Sequence, residues 1–209
     1  MRVREPVNAL THLLGLVLAA AGTLTLLRLA RDQSQLIAFA IYGTTLILLY
    51  GVSTMYHGLP LSERPLRALR TVDHIAIYFL IAGTYTPVAL ITLHGPWGQG
   101  MLVIAWLIAA AGIPFKIFYL EAPAWLSTAT YLGMGYLALV AIVPLSRAVS
   151  PTGLAWLVGG GLAYTVGAII YTRERPDPFP GLLGHHEIWH LLVLVGSACH
   201  FAFMVWHVG

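Results

Sequence analysis

Apolar residues fall into seven long runs along this chain, at residues 6–29, 36–58, 72–93, 98–119, 125–146, 152–171 and 184–207, separated by short polar stretches. Each run has about the 20 residues that a helix needs to cross the hydrocarbon core of a bilayer, so the pattern predicts seven membrane-spanning helices, numbered here helix 1 to helix 7. The connections carry helix-breaking residues: Arg31-Asp32-Gln33, the stretch 60–65 with proline at both ends, His94-Gly95-Pro96, Glu121-Ala122-Pro123, Ser150-Pro151 and Arg175-Pro176-Asp177-Pro178. None has room for a soluble domain, and no repeat or low-complexity segment interrupts the pattern. A single all-α membrane domain, a seven-helix bundle over residues 1–209, is expected.

Composition agrees with this reading. The chain is 58% hydrophobic and 9% charged, where a soluble domain has about 25% charged residues, and its mean hydropathy is +0.80. A multi-pass protein of the cytoplasmic membrane is expected, and a nucleic-acid-binding role is not. The first run has no small-residue cleavage signal and reads as a retained helix rather than a removed signal peptide. Cys199 is the only cysteine, which excludes an intrachain disulfide and a cysteine-based metal site.

The sign of the loops sets an expected orientation. Arg2, Arg4, Arg64, Arg67, Arg70, Lys116, Arg173 and Arg175 would lie on one side, against Arg28, Arg31 and Arg147 on the other. Because cations accumulate on the cytoplasmic side, the N-terminus is expected inside and the C-terminus outside. Helix 2 then ends, and helices 3 and 7 begin, at the cytoplasmic face. That places His57, Asp73, His186, Glu187 and His190 near one membrane depth, where ionisable groups are costly unless paired or bound to a metal.

His186 and His190 are four residues apart, so on a helix they differ by about 40° around the axis and about 6 Å along it, close enough to share one ion. His57 follows Ser53 by one turn near the end of helix 2. Three imidazoles with one open position form the pattern of a catalytic zinc site, in which bound water is acidified to a pKa near 7. Asp73 could take a proton from that water or orient it. His12, about one turn into helix 1, could hydrogen-bond the ligands from behind. Each histidine alone is more often a packing residue; the grouping carries the metal reading.

Several stretches resemble the progestin and adiponectin receptor family, and within it the bacterial branch called hemolysin III. They are Glu5-Pro6-Val7-Asn8-Ala9-Leu10-Thr11-His12, Ser53-x-x-x-His57, Asp73-His74-Ile75-Ala76-Ile77-Tyr78, Ala82-Gly83-Thr84-Tyr85-Thr86-Pro87 and Gly184-His185-His186-Glu187-Ile188-Trp189-His190. The resemblance runs nearly end to end. It implies a seven-helix bundle with a cytoplasmic N-terminus and a zinc ion held on that side by His57, His186 and His190, with Asp73 at the water and Ser53 beside the site. The wider superfamily includes proteins that resemble amide hydrolases acting on membrane lipids such as ceramides, which implies a zinc-dependent hydrolase of a lipid amide or ester with a membrane lipid as substrate or ligand. The branch itself carries a cytolysin name.

Other readings remain open. A structural zinc in a non-catalytic sensor or receptor-like protein would use the same histidines. His186-Glu187-Ile188-Trp189-His190 also fits the H-E-x-x-H pattern of metalloproteases, with Glu187 as base. That reading needs a further ligand downstream, where only His200 and His207 are available; Glu187 could instead support the ligands or pair with Arg173 or Arg175. A lytic pore is disfavoured because the spans show no polar stripe. His94, His200 and His207 are expected at the opposite interface, Trp97, Trp125 and Trp206 as interfacial anchors, and Lys116 as a residue whose amine snorkels to lipid head groups. Gly83, Pro87, Pro114 and Pro144 are expected to kink helices or allow close approach.

Overall fold

A computed structural model describes residues 3–208; Met1, Arg2 and Gly209 lie outside the described residues, and with Arg2 one of the cations counted above. Seven helices are long and apolar enough to cross a membrane: helix 1, Pro6–Leu29; helix 2, Gln33–Gly58; helix 3, Glu63–Leu93; helix 4, Gly95–Phe118; helix 5, Ala124–Ala148; helix 6, Pro151–Arg173; and helix 7, His185–Val208. Among the described residues there is no strand beyond one isolated bridge between Phe179 and Leu183.

Side-chain caps and prolines set several boundaries. Asp32 accepts from the Gln35 N–H at 2.8 Å and starts helix 2 ahead of its apolar run. Ser150 caps helix 6 through the Gly153 N–H, with Pro151 at the first helical position, where a missing N–H costs nothing. The largest departure from expectation is helix 3, which begins at Glu63 rather than near residue 72. Its first turns carry Arg64, Arg67 and Arg70, so an apolar run cannot register them; Pro65 falls within the first turn, where proline is tolerated.

Two helices change geometry in mid-span. Pro87 ends the regular part of helix 3, and Val88–Leu93 continues as a wider π-type turn. Helix 5 tightens to a 3-10 segment over Tyr136–Ala141 before Ile142–Ala148. Pro144 accounts for this, since it has no N–H to offer the Val140 carbonyl and its ring crowds that turn. Tyr85 of helix 3 repairs the break: its hydroxyl donates to the Gly135 carbonyl at 2.6 Å and accepts from the Ala138 N–H at 2.9 Å.

Helices 1, 2, 3 and 7 bury Phe39, Tyr42, Leu46, Tyr50, Ala76, Leu80, Val193 and Phe203 in one core. Helices 2 and 3 come close at Gly83, where a Cβ would overlap the Thr45 side chain. Many large apolar residues on the outer surface are open, among them Leu10, Leu107 and Val140, as a lipid-facing surface requires.

Two expectations are corrected. Lys116 does not snorkel outward: it is fully buried, its amine donating to Ser127 Oγ at 2.5 Å and lying over the rings of Phe115 and Tyr131. A hydroxyl and two aromatic faces inside the bundle replace the head-group contacts it would otherwise seek. Nor are all spans free of a polar stripe. His186, His190, Ser197, His200 and His207 follow one another on helix 7 at intervals of four, seven, three and seven residues, which keeps them on one face.

Candidate metal centre

The end of helix 2 and the start of helix 7 bring His57, His186 and His190 together. One ring nitrogen from each lies within 4.8 Å of the others, a group that could hold a metal ion. The rings meet edge to face, with centroids 5.0 Å apart for His57 and His186, 4.8 Å for His57 and His190, and 4.8 Å for His186 and His190. His57 and His190 are buried, and His190 Nδ1 is enclosed without a hydrogen-bond partner.

Glu5 orients the His57 ring. Its carboxylate is bonded to His57 Nδ1, Arg4 pairs with its other oxygen at 2.6 Å, and Asn8 donates to it at 3.3 Å. Burial pushes the Glu5 carboxyl up, but the hydrogen bond with His57 and the charges of His57 and Arg4 outweigh it and hold the group at about 2. An ionised carboxylate can only accept, so Nδ1 carries the proton and the lone pair of Nε2 is left for an ion. A carboxylate behind a ligating imidazole is the usual way of fixing its tautomer and orientation. Glu5 and Asn8 were not singled out from sequence as site residues, although both stand in the stretch before and into helix 1.

Of the other expected residues, Ser53 is buried one turn before His57, and Asp73 is buried on helix 3. Ser53 and His57 are both among the neighbours acting on the Asp73 carboxylate. His74, adjacent in sequence, bonds the Arg70 carbonyl through Nδ1 at 2.7 Å, and the same nitrogen lies 3.9 Å from Asp73 Oδ2. His12 is beside the centre but not hydrogen-bonded to it: its ring stacks on His190 at 3.6 Å and 13°, and both of its nitrogens are buried without partners. Parallel rings present faces to each other and send their nitrogens sideways, so stacking replaces the expected bond.

Glu187 is committed elsewhere. One oxygen accepts the Gly184 N–H at 2.9 Å at the head of helix 7, and the other accepts from Asn8 at 2.9 Å. It ties helix 1 to helix 7 rather than acting as a free base, and among the described residues it forms no ion pair with Arg173 or Arg175. The third histidine of the group comes from upstream, at His57, and not from His200 or His207. His200 is not interfacial either; its Nε2 lies 3.3 Å from the Leu157 carbonyl and its ring packs on Tyr164. Helix 6 supplies that polar contact within the span, so the ring has no need of the interface.

Donor chemistry fits a divalent ion: three imidazoles with one ring nitrogen each turned to a common space, one of them backed by a carboxylate.

The family model described as "Haemolysin-III related" matches residues 1–201 of the chain. Hemolysin-3 of Bacillus cereus is 42% identical over 98% of this chain and 91% of its own length. The hemolysin-3 homolog of Bacillus subtilis (strain 168) is 40% identical over 94% and 91%. The monocyte to macrophage differentiation factor of Homo sapiens is 31% identical over 95% and 82%. No solved structure matches the chain.

Proposed function

The chain belongs to the haemolysin-III-related family, the bacterial branch of the progestin and adiponectin receptor family, and from that premise we propose that it is a zinc-dependent hydrolase of a membrane lipid amide or ester. The observation that supports this most strongly is the convergence of His57, His186 and His190, with Ser53 buried on helix 2, as His57 is, and Asp73 buried on helix 3, in a lipid-facing bundle. Zinc held by the three histidines would supply Lewis acidity, for activating water and for polarising a carbonyl.

The chain's own residues have distinct tasks in this reading. Glu5 keeps His57 in the tautomer that offers Nε2, and Arg4 and Asn8 keep Glu5 in place. Asp73 accepts the proton that an attacking water loses and later returns it to the leaving nitrogen or oxygen. Ser53 orients water or the substrate carbonyl by a hydrogen bond. Glu187 holds helix 1 against helix 7 so that the ligands keep their spacing. The apolar surface lets the acyl chain approach from the bilayer. Excess cations on the side of this centre support a cytoplasmic location for it, with the N-terminus inside and the protein in the cytoplasmic membrane.

The test is fatty-acid release from a bacterial lipid extract by the purified, zinc-loaded protein. Turnover by the wild type that Asp73→Asn loses, with zinc retained, supports the hydrolase. Zinc retention without turnover of any lipid by the wild type would replace it with the receptor-like reading.

A further inference from the structure

The polar stripe of helix 7 continues past the metal centre into the opposite half of the bundle, and its partners there form a chain. Tyr50 of helix 2 donates to Ser197 Oγ at 2.8 Å, and Ser197 is bonded to the Tyr164 hydroxyl of helix 6 at 2.9 Å. Tyr164 packs on His200 with ring centroids 5.5 Å apart. His200 Nε2 faces the Leu157 carbonyl, which can only accept, so Nε2 carries the hydrogen and Nδ1 is a bare acceptor. Gly160 and Gly196 make the room: a Cβ at Gly160 would meet the His200 ring, and one at Gly196 the Tyr164 ring.

Each break in this chain is flanked by a buried polar atom without a partner. Between the centre and Tyr50 these are both nitrogens of His12, whose ring lies edge-on to Tyr50 at 5.1 Å. Beside Tyr164 they are His200 Nδ1 and the hydroxyl of Tyr42, which is buried in the same core as Tyr50 and Tyr164. Buried donors and acceptors are almost always satisfied, by protein or by enclosed water. One water at each break would serve the unpartnered atoms on its two sides and join the segments.

We propose that this column is a proton path running from the three-histidine centre through Tyr50, Ser197, Tyr164 and His200, closed on the far side by Phe203 and Met204. Tyr, Ser and water each accept a proton on oxygen while releasing their own to the next acceptor. One proton therefore enters from water at the centre and reaches His200, and no electrons move. His200 takes it at Nδ1, breaks the Nε2 bond to the Leu157 carbonyl and releases the Nε2 proton to water beyond the closure when that is opened; rotation of the ring and of the O–H bonds then restores the starting state. His12 only anchors the first water. Beyond His200 the stripe is interrupted by Met204, fully buried beside the equally buried Phe203, before His207 and Ser150 at 3.2 Å from each other. Seven residues of helix, about 10 Å, separate the two histidines across that apolar closure. The path requires no metal, so it stands or falls apart from the hydrolase.

Proton flux into phospholipid vesicles reconstituted with the full-length protein, read from an enclosed pH-sensitive dye under an imposed potential, tests it. The wild type should differ little from empty vesicles, and Met204→Ser should raise the flux at least about tenfold. Adding Ser197→Ala or Tyr164→Phe to Met204→Ser should return it to the wild-type level. Folding of each variant is checked by gel filtration and helicity, and Met204→Ala replaces the serine variant where that does not fold. A folded Met204 variant without increased flux, or an increase that survives both second substitutions, would overturn the path.

Discussion

The Glu5 carboxylate is bonded to Nδ1 of His57, 52 residues further along the chain, and thereby joins the segment before helix 1 to a member of the three-histidine group at the end of helix 2. The backbone repeats the tie, since the Glu5 N–H donates to the His57 carbonyl at 2.9 Å. The rim of the centre is therefore built partly by residues that lie before the first apolar run.

Glu5→Gln should weaken zinc binding by about 10- to 100-fold, the usual cost of removing a carboxylate from behind a ligating histidine, as measured by competition with a chromophoric chelator. Because the folded-state value of Glu5 is about 2, below its ordinary 4.5, its contribution to stability is present above the ordinary value and is lost as pH falls toward 2. Acid unfolding followed by helicity should lose this component in Glu5→Gln, and the variant's stability should depend less on pH in that window.

Asp73→Asn should keep the fold and the bound zinc while lowering lipid turnover by about 10²- to 10⁴-fold, the range for loss of a general acid–base group. Amide for carboxylate preserves shape and removes only the basic site. Zinc content and fatty-acid release measured on the same preparation separate the two effects.

Tyr85→Phe should destabilise the protein by about 1–3 kcal/mol, because it leaves buried backbone groups at the break in helix 5 without a partner. Thermal unfolding in detergent checks this against Tyr119→Phe, at a residue 65% exposed, which should change little.

Seven helices were legible because a bilayer demands long apolar runs, and the runs at residues 6–29 and Pro6–Leu29 coincide. The start of helix 3 was not legible, because its first turns are cationic and look like loop. His57, His186 and His190 could be grouped from span order alone, since the end of helix 2 and the head of helix 7 must share one membrane face. The support around them could not. Spacing shows which residues reach a common depth but not which way a ring turns, and so it missed the stacking of His12 on His190 and the bond from His57 to Glu5. Lys116 and His200 were misread for a related reason. Position along a span suggests an interface, whereas the acceptors that keep each inside the bundle, Ser127 and the Leu157 carbonyl, lie on neighbouring helices.

The most direct measurement is the zinc content of the purified protein beside that of the His57→Ala/His186→Ala/His190→Ala variant, both shown to be folded. About one zinc per chain in the wild type and none in the variant is the expected result. Full zinc retention by the triple variant, or a wild type that takes up no zinc when it is supplied, would contradict the three-histidine centre.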